Sequence, residues 1–266
     1  MQKLTVVKIG GNIVDDEEAL SLFLQSFAKI EGHKILVHGG GKLATRLAET
    51  MGIKQQLVDG RRITDGETLK IVTMVYAGYI NKNIVVKLQM NDCNAIGISG
   101  ADGNAVKAHK RHTINATGNT IDYGFVGDVD AVNAVFIKNL LDQQLTPVMA
   151  PITHDGSGQL LNTNADTIAQ ETAVAMSSLY TTTLIYSFEK SGVLLDINDE
   201  NSVISKIRPG DYLELKTKEL IFAGMIPKLD NAFSAINKGV SKVIIGKANN
   251  LDEIVQGSSG TTITND

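Results

Sequence analysis

Short apolar runs rich in β-branched residues alternate along this chain with stretches that are apolar at every third or fourth position. The first pattern predicts buried strands, and the second predicts helices that pack one face against a sheet. The predicted strands are 4–9, 34–37, 95–99, 147–151, 183–187 and 242–245. The predicted helices are 15–30, 42–51, 65–90, 132–143, 166–177 and 229–238. This alternation predicts an α/β fold, a three-layer αβα sandwich with a central, mainly parallel sheet.

One stretch breaks the alternation. Residues 105–129 are rich in Thr, Asn, Gly and His, and they predict a β-hairpin excursion from the main sheet. No Pro/Gly-rich linker marks a domain boundary, but the pattern places one near residue 175. We therefore expect an N-terminal lobe at 1–175 and a C-terminal lobe at 176–266.

Two glycine-rich turns follow the first two predicted strands. They read Lys-Ile-Gly-Gly-Asn at 8–12 and His-Gly-Gly-Gly-Lys at 38–42. Ligands of open α/β sheets sit beyond the carboxyl ends of the strands, and glycines there let an anion approach the backbone N–H groups. Either turn alone could be only a tight turn, but two after consecutive strands favour a phosphate or carboxylate site. Neither turn matches the P-loop or the dinucleotide-binding fingerprint.

Charged and amide side chains mark further candidate positions. Lys8 interrupts an apolar run beside the first glycine turn, where a cation could neutralise phosphoryl oxygens, although most lysines at strand ends are simply solvated. The segments 60–65 (Gly-Arg-Arg-Ile-Thr-Asp), 162–166 (Asn-Thr-Asn-Ala-Asp) and 224–228 (Gly-Met-Ile-Pro-Lys) also concentrate polar groups. Each has a structural alternative: solvated arginines, a helix N-cap, or a helix entry with a surface lysine.

Composition narrows the classes of function. The chain has 266 residues, 43% of them hydrophobic, which suffices for a large core. Only 5% are aromatic, none is Trp, and the net charge is −4, so a nucleic-acid partner is not expected. Cys93 is the one cysteine, and no apolar run approaches the roughly 20 residues that span a bilayer. These features predict a cytoplasmic protein without a membrane partner, and the histidine spacing predicts no protein-held metal.

Taken in order, the motifs resemble those of the amino-acid kinase family. They are Val-Lys-Ile-Gly-Gly, Val-His-Gly-Gly-Gly, Gly-Arg-Arg-Ile-Thr, Gly-Phe-Val-Gly-Asp-Val, Asn-Thr-Asn-Ala-Asp, Gly-Met-Ile-Pro-Lys and a closing Gly-Thr-Thr-Ile. Within the family they are most similar to the branch that phosphorylates the side-chain carboxylate of N-acetyl-L-glutamate, giving N-acetyl-L-glutamyl 5-phosphate. The resemblance implies ATP as phosphoryl donor, with Mg²⁺ carried by the nucleotide, and a step of arginine and ornithine biosynthesis.

The resemblance also implies roles for individual residues. The catalytic residues would be Lys8, Asp166 and Lys228, with the lysines stabilising the phosphoryl group and the aspartate holding both ammonium groups. The acyl amino acid would bind Gly40, Gly41, Arg62 and Asn162. ATP and its phosphates would bind Gly10, Gly11, Glu189, Gly192, Val193, Leu220 and Phe222. Family members carry Asp-Val-x-Gly where this chain reads Phe-Glu-Lys-Ser-Gly at 188–192, so Glu189 would replace that aspartate.

Three questions stay open at the level of sequence. The acyl group could be succinyl rather than acetyl, since Lys107, Lys110 and Arg111 of the hairpin could bind an additional acid. The fold could also serve a non-catalytic ligand sensor. Finally, the 65–90 helix could form a homodimer through Val72, Val75, Tyr76 and Tyr79. Relatives inhibited by arginine carry an N-terminal helix before the first strand, so we expect no arginine inhibition here.

Overall fold

The computed structural model describes residues 1–58, 61–114, 120–196, 198–218, 220–221 and 225–266. Its strands are β1 Lys3–Ile9, β2 His33–His38, β3 Leu57–Val58, β4 Arg61–Arg62, β5 Ala95–Ile98, β6 Val106–Ile114, β7 Thr120–Val132, β8 Thr146–Met149, β9 Ile152–His154, β10 Leu160–Asn162, β11 Thr181–Phe188, β12 Lys206–Ile207, β13 Lys242–Lys247 and β14 Thr261–Ile263. Its α-helices are α1 Gly11–Val14, α2 Glu17–Ala28, α3 Gly41–Thr50, α4 Gly66–Thr73, α5 Asn81–Met90, α6 Ala134–Asp142, α7 Ala165–Met176, α8 Pro209–Thr217, α9 Ile226–Asn237 and α10 Leu251–Gln256.

Contacts divide the chain into two compact units. The first unit combines residues 1–36 with 169–266, and the second comprises residues 37–168. The predicted lobes, 1–175 and 176–266, differ from these units in the placement of residues 1–36 and 169–175. For residues 1–36 the reason is strand pairing, because every residue of β1 is in parallel register with β11, from Lys3 beside Thr181 to Ile9 beside Ser187. The assignment of acyl-amino-acid binding and dimerisation to the N-terminal lobe, and of ATP binding to the C-terminal lobe, stays a prediction.

The first unit is built on a mainly parallel sheet with the strand order β12-β14-β13-β11-β1-β2. Strands β1, β11 and β13 run parallel, whereas β14 is antiparallel to β13. Helix α2 packs against α10, and both α9 and α10 pack on β13. Asp16 starts α2 because its carboxylate accepts hydrogen bonds from the backbone N–H groups of Glu18 and Ala19. The predicted parallel sheet with flanking helices is therefore present.

The second unit contains the predicted hairpin. Strands β6 and β7 pair antiparallel, and together with β9 and β10 they close a small barrel in the order β10-β7-β6-β9. Strands β5 and β8 pair in parallel. Because β10 belongs to this barrel, the Asn-Thr-Asn-Ala-Asp segment leaves the barrel at Asn162 and enters α7 at Ala165.

The predicted 65–90 helix is continuous but not uniform. Helices α4 and α5 are joined by a π-helical segment, Met74–Ile80, which includes Gly78. The prediction that four side chains of this helix are available for a dimer interface is wrong for three of them. Val72, Val75 and Tyr76 are buried within the second unit. Tyr79 is exposed, and so are three further apolar side chains on the helix, Met74, Val86 and Met90. Among the described helices, none is long and apolar enough to cross a bilayer.

Candidate active site

The first unit holds a cavity of about 320 Å³ at the carboxyl ends of β1 and β11, here called the first-unit cavity. This size lies in the range of small-molecule sites. Its lining residues are Lys8, Gly10, Gly11, Asn12, Ile13, Phe188, Glu189, Lys190, Gly192, Met225, Lys228 and Ile245. Six of them were predicted from the sequence as catalytic or phosphate-binding residues: Lys8, Gly10, Gly11, Glu189, Gly192 and Lys228.

Two lysines from distant parts of the chain meet in this cavity. Lys8 ends up beside the first glycine turn because β1 stops at Ile9, and Lys228 lies in the first turn of α9. The Lys228 Nζ atom lies 3.6 Å from the centroid of the Phe188 ring, and the Lys8 Nζ atom lies 5.2 Å from the same centroid. Because both distances are measured from the same point, the separation of the two ammonium nitrogens is at most their sum. A phosphoryl group in this cavity would lie near both cations.

The segment that departs from the family pattern is held by a carboxylate outside the cavity. Glu200 accepts hydrogen bonds from the Lys190 ammonium at 2.8 Å and from the Ser191 hydroxyl at 2.7 Å. It also accepts one from the Ser191 backbone N–H at 3.3 Å. The Lys190 ammonium and the Ser191 hydroxyl lower the pKa of the Glu200 carboxyl to about 2. Glu200 thus anchors the wall of the cavity that contains Glu189 and Lys190.

Two of the remaining predicted nucleotide residues, Val193 and Leu220, do not line the first-unit cavity. Val193 is fully buried, and its backbone N–H donates to the Thr261 hydroxyl at 2.8 Å. Leu220 is exposed, and Phe222 lies outside the described residues. Five lining residues received no individual role from the sequence, although some adjoin the glycine turn or segment 188–192: Asn12, Ile13, Phe188, Met225 and Ile245. Lys190 lies in the stretch 189–194 that resembles the nucleotide-binding segment of the family.

The second unit holds a cavity of about 220 Å³, here called the second-unit cavity. Its lining residues are Gly39, Gly40, Gly41, Leu57, Arg62, Tyr76, Val126, Pro151, Asn162, Thr163, Asn164 and Ala165. All four residues predicted to bind the acyl amino acid are among them: Gly40, Gly41, Arg62 and Asn162. Leu57, Tyr76, Val126 and Pro151 were missed, because isolated apolar residues carry no sequence signal for a ligand site.

Arg62 is fixed against the second glycine turn. Its Nη2 donates to the Gly41 carbonyl oxygen at 2.9 Å and to the Thr45 hydroxyl at 2.8 Å, and its Nη1 donates to the Gln55 side-chain oxygen. These bonds hold the guanidinium group in place at the cavity wall. A guanidinium has five N–H donors, so one on Nη1 and one on Nε remain available to an anion in the cavity. Asn162 donates to the Thr64 hydroxyl at 3.0 Å, which fixes its side chain as well.

The π-helical segment packs against the second glycine turn. Gly40 has φ of +148°, and a Cβ atom at this position would lie 2.2 Å from the Cδ1 atom of Ile80. Only glycine fits such a backbone and such a close neighbour. Tyr76, one turn earlier in the π-helical segment, lines the cavity itself. π-Helical turns are frequent at functional sites, and here one brings Tyr76 to the cavity and Ile80 to the glycine turn.

A buried histidine supports the same turn from behind. The Nδ1–H of His38 donates to the Gly39 carbonyl oxygen at 2.9 Å, and its Nε2 accepts from the Asn81 amide at 3.1 Å. The Asn81 amide also donates to the Val148 carbonyl oxygen at 2.9 Å. Burial lowers the pKa of His38 to about 4, so the imidazole is neutral at pH 7. His38 is therefore a structural member of the turn, with both ring nitrogens bonded.

Asp166 lies in the first turn of α7. Its backbone N–H donates to the side-chain oxygen of Asn164 at 2.8 Å, and the Thr167 N–H donates to the same oxygen at 3.3 Å. Asn164 is thus the N-cap of this helix, the structural role that its residue type suggests. The position expected of Asp166, between the two lysine ammonium groups, stays a prediction.

Two of the three basic residues named in the hairpin, Lys110 and Arg111, are paired with acids of the same hairpin. Arg111 forms an ion pair of 2.6 Å with Asp128, and Lys110 forms one of 3.5 Å with Asp122. Lys107 is not a lining residue of the second-unit cavity. Among the described lining residues of that cavity, Arg62 is the one Lys or Arg side chain.

A sequence model of the amino acid kinase family matches residues 3–247. The chain belongs to the amino acid kinase family. The acetylglutamate kinase of Cytophaga hutchinsonii is 58% identical over 255 residues, which cover 96% of this chain and 95% of that protein. The acetylglutamate kinase of Phocaeicola vulgatus is 55% identical over 262 residues, which cover 98% of each protein.

A solved structure shows the same amino acid kinase fold. The N-acetylglutamate synthase of Neisseria gonorrhoeae, complexed with coenzyme A and N-acetyl-glutamate, has a TM-score of 0.81 and 19% identity. The match covers 99% of this chain and 59% of the synthase. The predicted fold class and the predicted family are confirmed by these comparisons.

Proposed function

We propose that this chain transfers the γ-phosphoryl group of ATP to the side-chain carboxylate of N-acetyl-L-glutamate. The products would be N-acetyl-L-glutamyl 5-phosphate and ADP, a step of arginine and ornithine biosynthesis. The observation that carries the chemistry is the meeting of Lys8 and Lys228 over one aromatic ring in the first-unit cavity. The choice of acceptor is supported by the acetylglutamate kinases that are 58% and 55% identical to this chain.

The reaction requires charge neutralisation rather than a base. A glutamate side chain has a pKa of about 4.3, so the acceptor is already ionised at neutral pH. One of its oxygens attacks the γ-phosphorus atom while the bond to the β,γ-bridging oxygen breaks and ADP leaves. Lys8 and Lys228 would stabilise the negative charge on the transferring group, and Asp166 would hold the two ammonium groups apart in fixed positions. The reaction therefore needs no histidine as a proton acceptor. His38 agrees with this, because it is buried, neutral and hydrogen-bonded through both ring nitrogens.

Mg²⁺ would come with the nucleotide. Among the described residues there is no cluster of three or more His, Cys, Asp or Glu side chains that could hold a metal. The ion would therefore be bound by the phosphates of ATP and by water, as magnesium often is, and it would offset part of the phosphate charge.

The second-unit cavity is suited to an acylated amino acid. Arg62 would bind the α-carboxylate, and Asn162 would bind the acyl-amide end. Leu57, Val126 and Pro151 add apolar wall for a methyl group. A succinyl group would add a second carboxylate, yet Arg62 is the one cation among the described lining residues. These features favour acetyl over succinyl.

The enzyme would work in the cytoplasm as a homodimer formed through the 65–90 helix. The exposed side chains of Tyr79, Val86 and Met90 lie seven and four residues apart, which places them on one stripe of a helix. Light scattering coupled to size-exclusion chromatography should give twice the chain mass. A Val86→Glu variant should shift the measured mass to that of one chain. A wild-type protein with the mass of one chain would contradict the dimer.

The function can be tested by trapping the acyl phosphate with hydroxylamine. The purified protein and MgATP are incubated with N-acetylglutamate, N-succinylglutamate, glutamate or aspartate in parallel. We expect hydroxamate with N-acetylglutamate, a smaller yield or none with the other acceptors, and almost none from Lys8→Ala. Turnover with unacylated glutamate alone would reject the proposal, and a preference for N-succinylglutamate would overturn the choice of acyl group. ATP binding without turnover on any acceptor would favour a ligand sensor.

A further inference from the structure

Phe188 has no role in the proposed phosphoryl transfer, yet it lines the first-unit cavity. It is the last residue of β11, which pairs with β1 on one side and β13 on the other. Its half-buried ring is 6.0 Å from the Tyr186 ring with an angle of 16° between the planes, a stacked arrangement. A ring anchored to a central strand and stacked on a second ring has little freedom to move. The Phe188 ring is therefore a fixed surface in the cavity.

The ring contacts both lysines proposed to be catalytic. An aromatic face is negative and attracts a cation within about 6 Å of its centroid. Lys228 Nζ at 3.6 Å and Lys8 Nζ at 5.2 Å both meet this criterion. An ammonium group has three N–H donors, so one can point to the ring while the others remain available to phosphoryl oxygens.

The ring also offsets part of the electrostatic repulsion between the two cations. Two ammonium groups in one cavity repel each other, and each side chain has several rotatable bonds, so neither would stay in position without attractive contacts. In the proposed scheme the Asp166 carboxylate supplies one such contact, and the ring supplies a second that leaves more of the N–H donors to the phosphates. An aromatic face attracts the cations without carrying a net charge. Lysines kept in place by such a face need no rearrangement when the phosphates bind.

We propose that Phe188 is a positioning residue that holds the ammonium groups of Lys8 and Lys228 at the phosphoryl site before ATP binds. The inference rests on the proposed function, because it assigns the ring a part in the same phosphoryl transfer. It predicts that the electrostatics of the ring matter for catalysis, in addition to its volume. A ring that only fills space would be insensitive to its charge distribution.

Fluorination of the ring separates these two roles. Replacing Phe188 with mono-, di- and trifluorophenylalanine weakens the negative face in steps and changes the ring's size very little. We expect kcat and ATP affinity to fall in step with the number of fluorines, by about three- to tenfold across the series. The KM for N-acetylglutamate and the Tm should stay nearly constant. Phe233 stacks on Tyr212 with the ring centroids 5.2 Å apart, and the same substitutions there are the matched control. They should change neither kcat nor ATP affinity.

Each outcome bears on the proposal. A series with unchanged kcat and ATP affinity would overturn it, even if Phe188→Met lost activity, because that loss would then reflect packing. A graded loss together with an active Phe188→Tyr variant would support it. If the wild-type protein forms no acyl phosphate, the proposed function fails by itself. ATP affinity measured by calorimetry across the fluorinated series would still report whether the ring positions the lysines.

Discussion

The buried imidazole of His38 should make the protein sensitive to mild acid. In the unfolded chain a histidine takes up a proton near pH 6.5, whereas in the fold burial lowers the pKa of His38 to about 4. Between these two values the unfolded state binds more protons, so the free energy of unfolding falls as the pH falls. The loss should be about 2 kcal/mol at pH 5 and about 3 kcal/mol below pH 4. A protonated Nε2 would also oppose the Asn81 amide N–H that now donates to it.

Urea unfolding of the wild type and of His38→Gln at a series of pH values measures this loss. Glutamine keeps an oxygen that can accept from Asn81 but has no group that titrates in this range. The variant should be less stable at pH 8, and the gap to the wild type should narrow by about 2 kcal/mol on going to pH 5. Two curves that run parallel from pH 8 to pH 5 would refute the reasoning. NMR of the imidazole nitrogens should show a proton on Nδ1 at pH 7.

Three further substitutions test the two cavities. Arg62→Lys should raise the KM for N-acetylglutamate about tenfold, because lysine cannot keep the bonds to Gly41, Thr45 and Gln55 and also donate to the acceptor, while Arg46→Lys on the exposed face of α3 should not. Gly40→Ala should lower the unfolding free energy by about 1–3 kcal/mol and weaken acceptor binding, since its backbone is left-handed and Ile80 occupies the Cβ position; an unchanged Tm would contradict this. Glu200→Gln should raise the KM for ATP several-fold and leave the KM for the acceptor unchanged; equal changes in both would argue against an anchor specific to the first-unit cavity.

Much of the fold could be predicted because its determinants are local. An apolar β-branched run such as residues 4–9 is a strand wherever it is buried, and the carboxyl end of such a strand is where a parallel sheet places its ligands. Lys8 could therefore be singled out as a lysine that interrupts an apolar strand beside a glycine turn. The short elements were not predicted, because α1, β9, β10 and β14 have only three or four residues each and depend on distant partners.

Other features depend on three-dimensional packing that no local pattern encodes. Val72, Val75 and Tyr76 have the spacing of a helix surface, but spacing does not say which face is already covered, and all three are buried. Phe188 lies where the chain departs from the family pattern, so no motif assigned it a function. Its position between two lysines arises because β11 lies beside β1 and because α9 brings Lys228 to the same ring.

The central claim is that Lys8 and Lys228 act together on the transferring phosphoryl group. It is tested most directly by the steady-state kinetics of Lys8→Ala, Lys228→Ala and the double variant, with Lys238→Ala at the other end of α9 as control. Each single variant should lose kcat by about 10²–10³-fold with little change in the KM for N-acetylglutamate, and the double variant should lose less than the product of the two. Single variants that keep the wild-type kcat and lose only substrate affinity would contradict the claim.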